Sequence, residues 1–109
     1  MRDNISGGAL TETTFLILLT LYQPNHGYGI MQLIEKQTNG RVVLGAGTLY
    51  GAINALVKKK WIVPTGSEAG STKREYVITE TGKQKAEEEL KRMGEVCELA
   101  STIIGRERK

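Results

Sequence analysis

Ala46-Gly47-Thr48-Leu49-Tyr50-Gly51-Ala52-Ile53-Asn54-Ala55-Leu56-Val57-Lys58-Lys59-Lys60 is the stretch on which the fold turns. At 100° per residue, Ala46, Leu49, Ile53, Leu56 and Val57 share one face, which predicts a helix from about Ala46 to Lys59. The opposite side carries Thr48, Gly51, Asn54, Ala55 and Lys58, with Tyr50 on the boundary. This outer face combines small residues with one hydroxyl, one amide and one lysine, and it has no acid. A helix merely exposed to water would usually carry more Glu and Lys. Small side chains let a helix approach another surface closely, and Thr48, Asn54 and Lys58 supply hydrogen-bonding groups there. A helix laid in the major groove of double-stranded DNA needs that composition.

Working upstream, a first helix is predicted over Thr11–Tyr22. It is apolar on most faces, so it is either central in the core or shared with a partner chain. Pro24-Asn25 marks a turn. A second, short helix is expected from about Gly27 to Thr38, with Ile30, Leu33 and Ile34 inward and Asn39-Gly40 as a left-handed-compatible stop. The lone histidine, His26, reads as a turn or helix-start residue.

Downstream, Trp61-Ile62-Val63 reads as a strand, the polar segment from Thr65 to Thr72 as a loop, and Lys73 to Ile78 as the returning strand. Alternation leaves open which of Val77 and Ile78 is buried, because neighbours cannot share a face. Trp61 suits core packing. Thr79 is placed to cap a last helix running from about Glu80 to Ile104, with Gly105 as its C-cap. In that helix Ala86, Leu90, Met93, Cys97, Ala100 and Ile104 repeat with 4-3-4-3-4 spacing, and Val96, Leu99 and Ile103 widen the stripe. One small domain has little left to cover it, which points to a second copy of the chain.

The fold class expected is therefore mainly α with a small β-wing: a winged helix-turn-helix over residues 1–79 and a long C-terminal dimerisation helix with a charged tail over 80–109.

Charge agrees with this division. Residues 27–79 hold seven basic side chains (Lys36, Arg41, Lys58, Lys59, Lys60, Lys73, Arg74) against three acids (Glu35, Glu68, Glu75), while residues 80–109 balance seven against seven. Such an excess suits a polyanion, although a solvated basic surface would look the same. The 109 residues suit one domain. Cys97 is the only cysteine, so neither an intrachain disulfide nor a cysteine-based zinc site is expected. No acid–base pair, nucleophile arrangement or metal cluster appears, so no enzyme, no metal and no cofactor are expected. Gly45-x-Gly47 lacks the Lys-Ser/Thr and the spacing of a phosphate loop. With no signal peptide and no membrane-length apolar run, the expected location is the cytoplasm, away from any membrane.

These residues resemble the PadR family of bacterial transcriptional regulators, in particular its short members with one C-terminal helix. The resemblance rests on Ile17-Leu18-Leu19 with Leu21, His26-Gly27-Tyr28-Gly29-Ile30, Gly47-Thr48-Leu49-Tyr50 with Ile53 and Leu56, Trp61-Ile62, and Lys73-Arg74-Glu75-Tyr76-Val77-Ile78-Thr79 with Gly82. It runs from about Leu10 to the end of the last helix. Three positions depart from the family pattern. Gly45-Ala46 replaces the usual Ser-Pro, Lys60 replaces the glycine between third helix and first strand, and the adjacent basic pair is spread as Lys73-Arg74-Glu75.

The resemblance implies a dimeric repressor on an inverted repeat. In some short members the dimer interface holds flat hydrophobic or cationic compounds, so a small hydrophobic effector is one expectation and a dry dimer core the other. It also implies that Tyr28 lies on the DNA side of the second helix. By the same resemblance Thr48, Leu49 and Tyr50 open the recognition helix, and Lys73 and Arg74 sit at the wing. Thr48 and Asn54 are the candidates for base edges, although Asn54 could equally bridge a phosphate or water. Tyr28 and Tyr50 suit phosphate or an amphipathic core edge. Lys58, Lys59, Lys73 and Arg74 suit the DNA backbone. The dimer interface is assigned to Phe15, Leu90, Met93, Val96, Cys97, Ala100, Ile103 and Ile104, where Cys97 is either a small buried residue or a thiol facing its symmetry mate. The competing class is a protein-interaction adaptor, which would lack salt-sensitive affinity for duplex DNA.

Overall fold

The computed structural model describes residues 9–65 and 74–108. Thr11 opens the first helix, α1 (Glu12–Thr20): its Oγ1 accepts the Thr14 N–H at 3.1 Å, and Glu12 sits favourably in the first turn. A strand of two residues, β1 (Asn25–His26), follows the turn. His26 then caps α2 (Gly27–Gln37) in the manner of an asparagine, its Nδ1 accepting the Gly29 N–H at 3.1 Å. The helix closes on a Schellman motif. Asn39 takes a φ of 53°, its N–H donates to the Lys36 carbonyl, and the Gly40 N–H reaches the Glu35 carbonyl at 2.8 Å.

Gly45 precedes α3 (Ala46–Lys58) without a side-chain cap. The end of α3 repeats the Schellman geometry: Trp61 N–H donates to the Leu56 carbonyl at 3.1 Å and Lys60 N–H to the Val57 carbonyl at 3.0 Å. Here the left-handed residue is Lys60, with a φ of 66°.

β2 (Ile62–Thr65) and β3 (Glu75–Ile78) are antiparallel, with Ile62 opposite Ile78, and the sheet order is β1-β3-β2. β2 is thus an edge strand, where Pro64 costs no ladder bond in the interior. Thr79 caps α4 (Glu80–Glu107) through the Gly82 N–H at 3.0 Å, and its hydroxyl also lies 2.8 Å from the Lys60 carbonyl. A β-carbon at Gly82 would collide with the Trp61 carbonyl, so glycine lets α4 start tight against β2.

The core joins α1, α2, α3, β2 and β3: Ile17, Leu18, Leu21, Ile30, Ile34, Leu49, Ile53, Leu56, Ile62 and Ile78 are buried together. Full burial of each is worth roughly 1.5–3 kcal/mol. The Ile78 N–H also donates to the Leu21 carbonyl at 2.9 Å, stitching the sheet to the end of α1.

Several expectations need correction. Asn25, expected in a turn with Pro24, and His26, expected at a turn or helix start, also form a strand, paired Asn25 to Tyr76 and His26 to Glu75. Two residues carry no alternation from which a strand could be read. The choice that alternation leaves open between Val77 and Ile78 falls on Ile78, set by its register with buried Ile62. Gly105 does not end α4, which continues to Glu107; nothing lies within 4 Å of a β-carbon built there. A glycine at the end of an exposed helix lowers propensity by about 1 kcal/mol without being forced into a left-handed cap. No helix among the described residues is long and apolar enough to cross a membrane.

Candidate nucleic-acid interface

The buried face of α3 is Leu49, Ile53 and Leu56, and that choice fixes what the helix shows outward. Thr48, Gly51, Asn54, Ala55 and Lys58 are all exposed. Between Glu35 and Glu68 the chain has no acidic residue, so nothing on α3 repels an anion. A β-carbon at Gly47 or Gly51 would meet open space, so neither glycine is required by packing within the chain. Leu49 is a correction. Its side chain is fully buried in the core, where it can hold α3 in place but cannot touch a nucleic acid.

Tyr50 lies at the edge of this face and packs its ring on Gly27, the first residue of α2. Tyr28 follows Gly27 and is 61% exposed. The backbone at Gly27 therefore brings both tyrosines to one place, and each keeps part of its ring in solvent. Arg74 is exposed at the start of β3, one residue before the Glu75–His26 pair, which places it by the N-terminal end of α2. Lys73 lies outside the described residues. Lys58 and Lys59 are both exposed, and the Lys59 ammonium sits 4.8 Å over the Trp61 ring, with that of Lys85 at 5.9 Å. Trp61 packs on the core and holds this pair of cations at the foot of the sheet. Arg41 is paired with Glu12.

The residues assigned to a chain–chain contact lie elsewhere. Beyond Glu89, α4 carries Leu90, Met93, Val96, Leu99, Ile103 and Ile104, all exposed, with Cys97 and Ala100 among them. Ala86, the first member of the heptad seam, packs into its own body. Phe15 is half-buried, and a groove between α1 and α2 is lined by Leu16, Leu19, Thr20, Leu33, Ile34 and Gln37.

Glu89 is a functional candidate with no motif around it. It is buried on α4 and accepts hydrogen bonds from Arg92 and from the Leu10 backbone N–H. Its spacing from Gly82 and Ala86, along one helical stripe, was the available signal. Those bonds, Arg92 first, hold its carboxyl below the usual glutamate range although burial opposes them.

Comparison with known proteins agrees with this architecture. A transcriptional regulator from Clostridium thermocellum superposes with a TM-score of 0.66 at 28% identity, over 85% of this chain and 89% of that one. A PadR family transcriptional regulator from Eggerthella lenta gives 0.74 at 19% identity, over 84% and 80%. Bacillus subtilis PadR, solved in complex with operator DNA, gives 0.63 at 20% identity, over 73% of this chain and 47% of that one. A search of curated protein sequences found no match. The profile of the transcriptional regulator PadR-like family matches residues 15–88. With that match spanning more than half of its length, the chain belongs to the PadR-like family of transcriptional regulators.

Proposed function

We propose that the chain acts as a homodimer that represses transcription by binding an inverted repeat, one α3 helix entering the major groove at each half-site. The observation that carries this is the exposed outer face of α3, small and acid-free and bearing Lys58, with Tyr50 at its edge packed on Gly27 beside exposed Tyr28. Thr48 and Asn54 read base edges, with an Asn–adenine pair worth roughly 1–3 kcal/mol of discrimination. The tyrosine hydroxyls and the cations hold the phosphates. In this reading residues 80–109 form the dimerisation unit and residues before Glu80 the DNA-binding unit.

A second copy is the natural cover for α4. From Leu90 onward its apolar arc spans about half the helix circumference, wider than the seam that one neighbouring helix closes. The α1–α2 groove offers the partner's helix a further apolar seat. Two copies would then set their α3 helices about 34 Å apart, one turn of DNA. A small hydrophobic effector lodged between the terminal helices would release DNA if it favoured a different separation.

The test is a mobility-shift titration of the purified protein on the DNA upstream of its own gene, repeated at several salt concentrations. Affinity should fall steeply with salt, and Lys58→Gln should lower the slope of log K against log salt by about 1. Asn54→Ala should instead change which duplex is preferred and leave the slope alone. Absence of salt-sensitive duplex binding would favour the adaptor reading.

A further inference from the structure

Glu89 is the only charged or polar side chain buried among the described residues, at 4% exposure. Its Oε1 accepts the Leu10 N–H at 3.2 Å and Arg92 Nε at 3.0 Å, and Oε2 accepts from Arg92 Nη2. Leu10 immediately precedes Thr11, the cap of α1. Beyond Glu89, α4 is exposed apart from half-buried Arg92. The carboxylate therefore ties the entrance of α1 to α4 at the point where α4 leaves the body.

Stability alone does not explain it. Desolvating a carboxylate costs several kcal/mol, and apolar residues of similar volume often hold a buried site as well or better. What a carboxylate with fixed donors adds is direction, because hydrogen bonds weaken steeply when bent whereas apolar contacts slide.

We propose that Glu89 is a positioning residue that sets the tilt of α4 on the body and, through it, the separation of the two α3 helices in the dimer. The proposal rests on the homodimer reading above. From Glu89 to the helix end at Glu107 the rod is about 27 Å long, so a tilt of roughly 10° moves its tip by about 5 Å. That exceeds the spacing of one base-pair step, about 3.4 Å.

The experiment measures the distance between nitroxide labels on Ala55→Cys, in a Cys97→Ala background, by pulsed dipolar electron resonance on the full chain. With Glu89 present, one narrow distance is expected. Glu89→Gln, and separately the double variant Glu89→Leu with Arg92→Leu, should shift or broaden it by about 5 Å while the dimer mass and helix content stay unchanged. The double variant leaves no charge unpaired, so the readout survives if Glu89→Gln folds poorly. Superimposable distances in all three proteins would overturn the proposal and leave the dimer standing. No dipolar coupling with Glu89 present would mean a monomer, and both readings would fall.

Discussion

The phenol ring of Tyr50 lies against the backbone of Gly27 so closely that a β-carbon there would sit 2.6 Å from Tyr50 Cζ and 3.0 Å from Cε1. Glycine at position 27 is thus a seat for a side chain of α3. Gly27→Ala should destabilise the fold by about 1–3 kcal/mol through overpacking. In a Tyr50→Ala background most of that loss should vanish, a coupling of about 1 kcal/mol or more by urea melts at fixed protein concentration. Simple additivity of the two substitutions would show that the ring does not depend on this seat.

Gly51 separates folding from recognition. It lies inside α3, with open space where a β-carbon would go. Gly51→Ala should therefore stabilise the protein by up to about 1 kcal/mol. If the face enters a groove, the added methyl should also weaken duplex binding severalfold. Thermal melts and mobility shifts on one preparation test both signs, and unchanged DNA affinity would place the groove contact elsewhere on the helix.

Lys60 carries the left-handed conformation of a Schellman motif with a φ of 66°. A residue with a β-carbon is penalised there by roughly 1–2 kcal/mol, partly offset by the entropy glycine loses on folding. Lys60→Gly should raise stability by about 1 kcal/mol, read as an increase in Tm of a few degrees. The Thr79 contact to this residue's carbonyl does not need the side chain and should persist.

Acid should weaken the junction of α1 and α4. The Glu89 carboxyl is held below its usual range, chiefly by its hydrogen bonds from Arg92 and also by the Leu10 N–H. A carboxyl whose folded pKa is depressed contributes stability that is complete above the unfolded value and disappears as pH falls through the folded one. Stability should thus decline from about pH 5 downward. Glu89→Gln should lose less over the same interval, as followed by urea melts at stepped pH. Parallel curves for the two proteins would assign the acid sensitivity to other groups, such as Glu12, whose carboxyl is also lowered by its Arg41 partner.

Much of this was legible in the residues because each signal had one physical meaning. The 3.6-residue period of Leu49, Ile53 and Leu56 could be met only by a buried helix face, and Thr79 before Glu80 could only begin a helix. Asn39-Gly40 announced a left-handed stop for the same reason. Lys60 does the same job with no signal in its own residue type; only its place between helix and strand, where the family resemblance expects glycine, hinted at it. β1 was hidden because its partner strand lies about fifty residues away, and pairing at that distance leaves no local pattern. The burial of Glu89 was masked by Glu87 and Glu88 beside it, since a run of acids reads as a solvated surface. Leu49 was assigned to two roles, one by its helical face and one by the family resemblance, and its full burial decides for the face.

The central place of β3 in the sheet has a further consequence. It is bonded on one side to β2 and on the other to the two residues that lead into α2, so the strands of the wing and the turn before the second helix share one backbone ladder. Those parts form a preassembled block, and docking it on a duplex requires little ordering of the protein at that corner. A corner that is already ordered leaves less of the fit to rearrangement of the protein. Selection among similar sequences would then fall partly on the DNA, through how readily each one bends or narrows to meet the block.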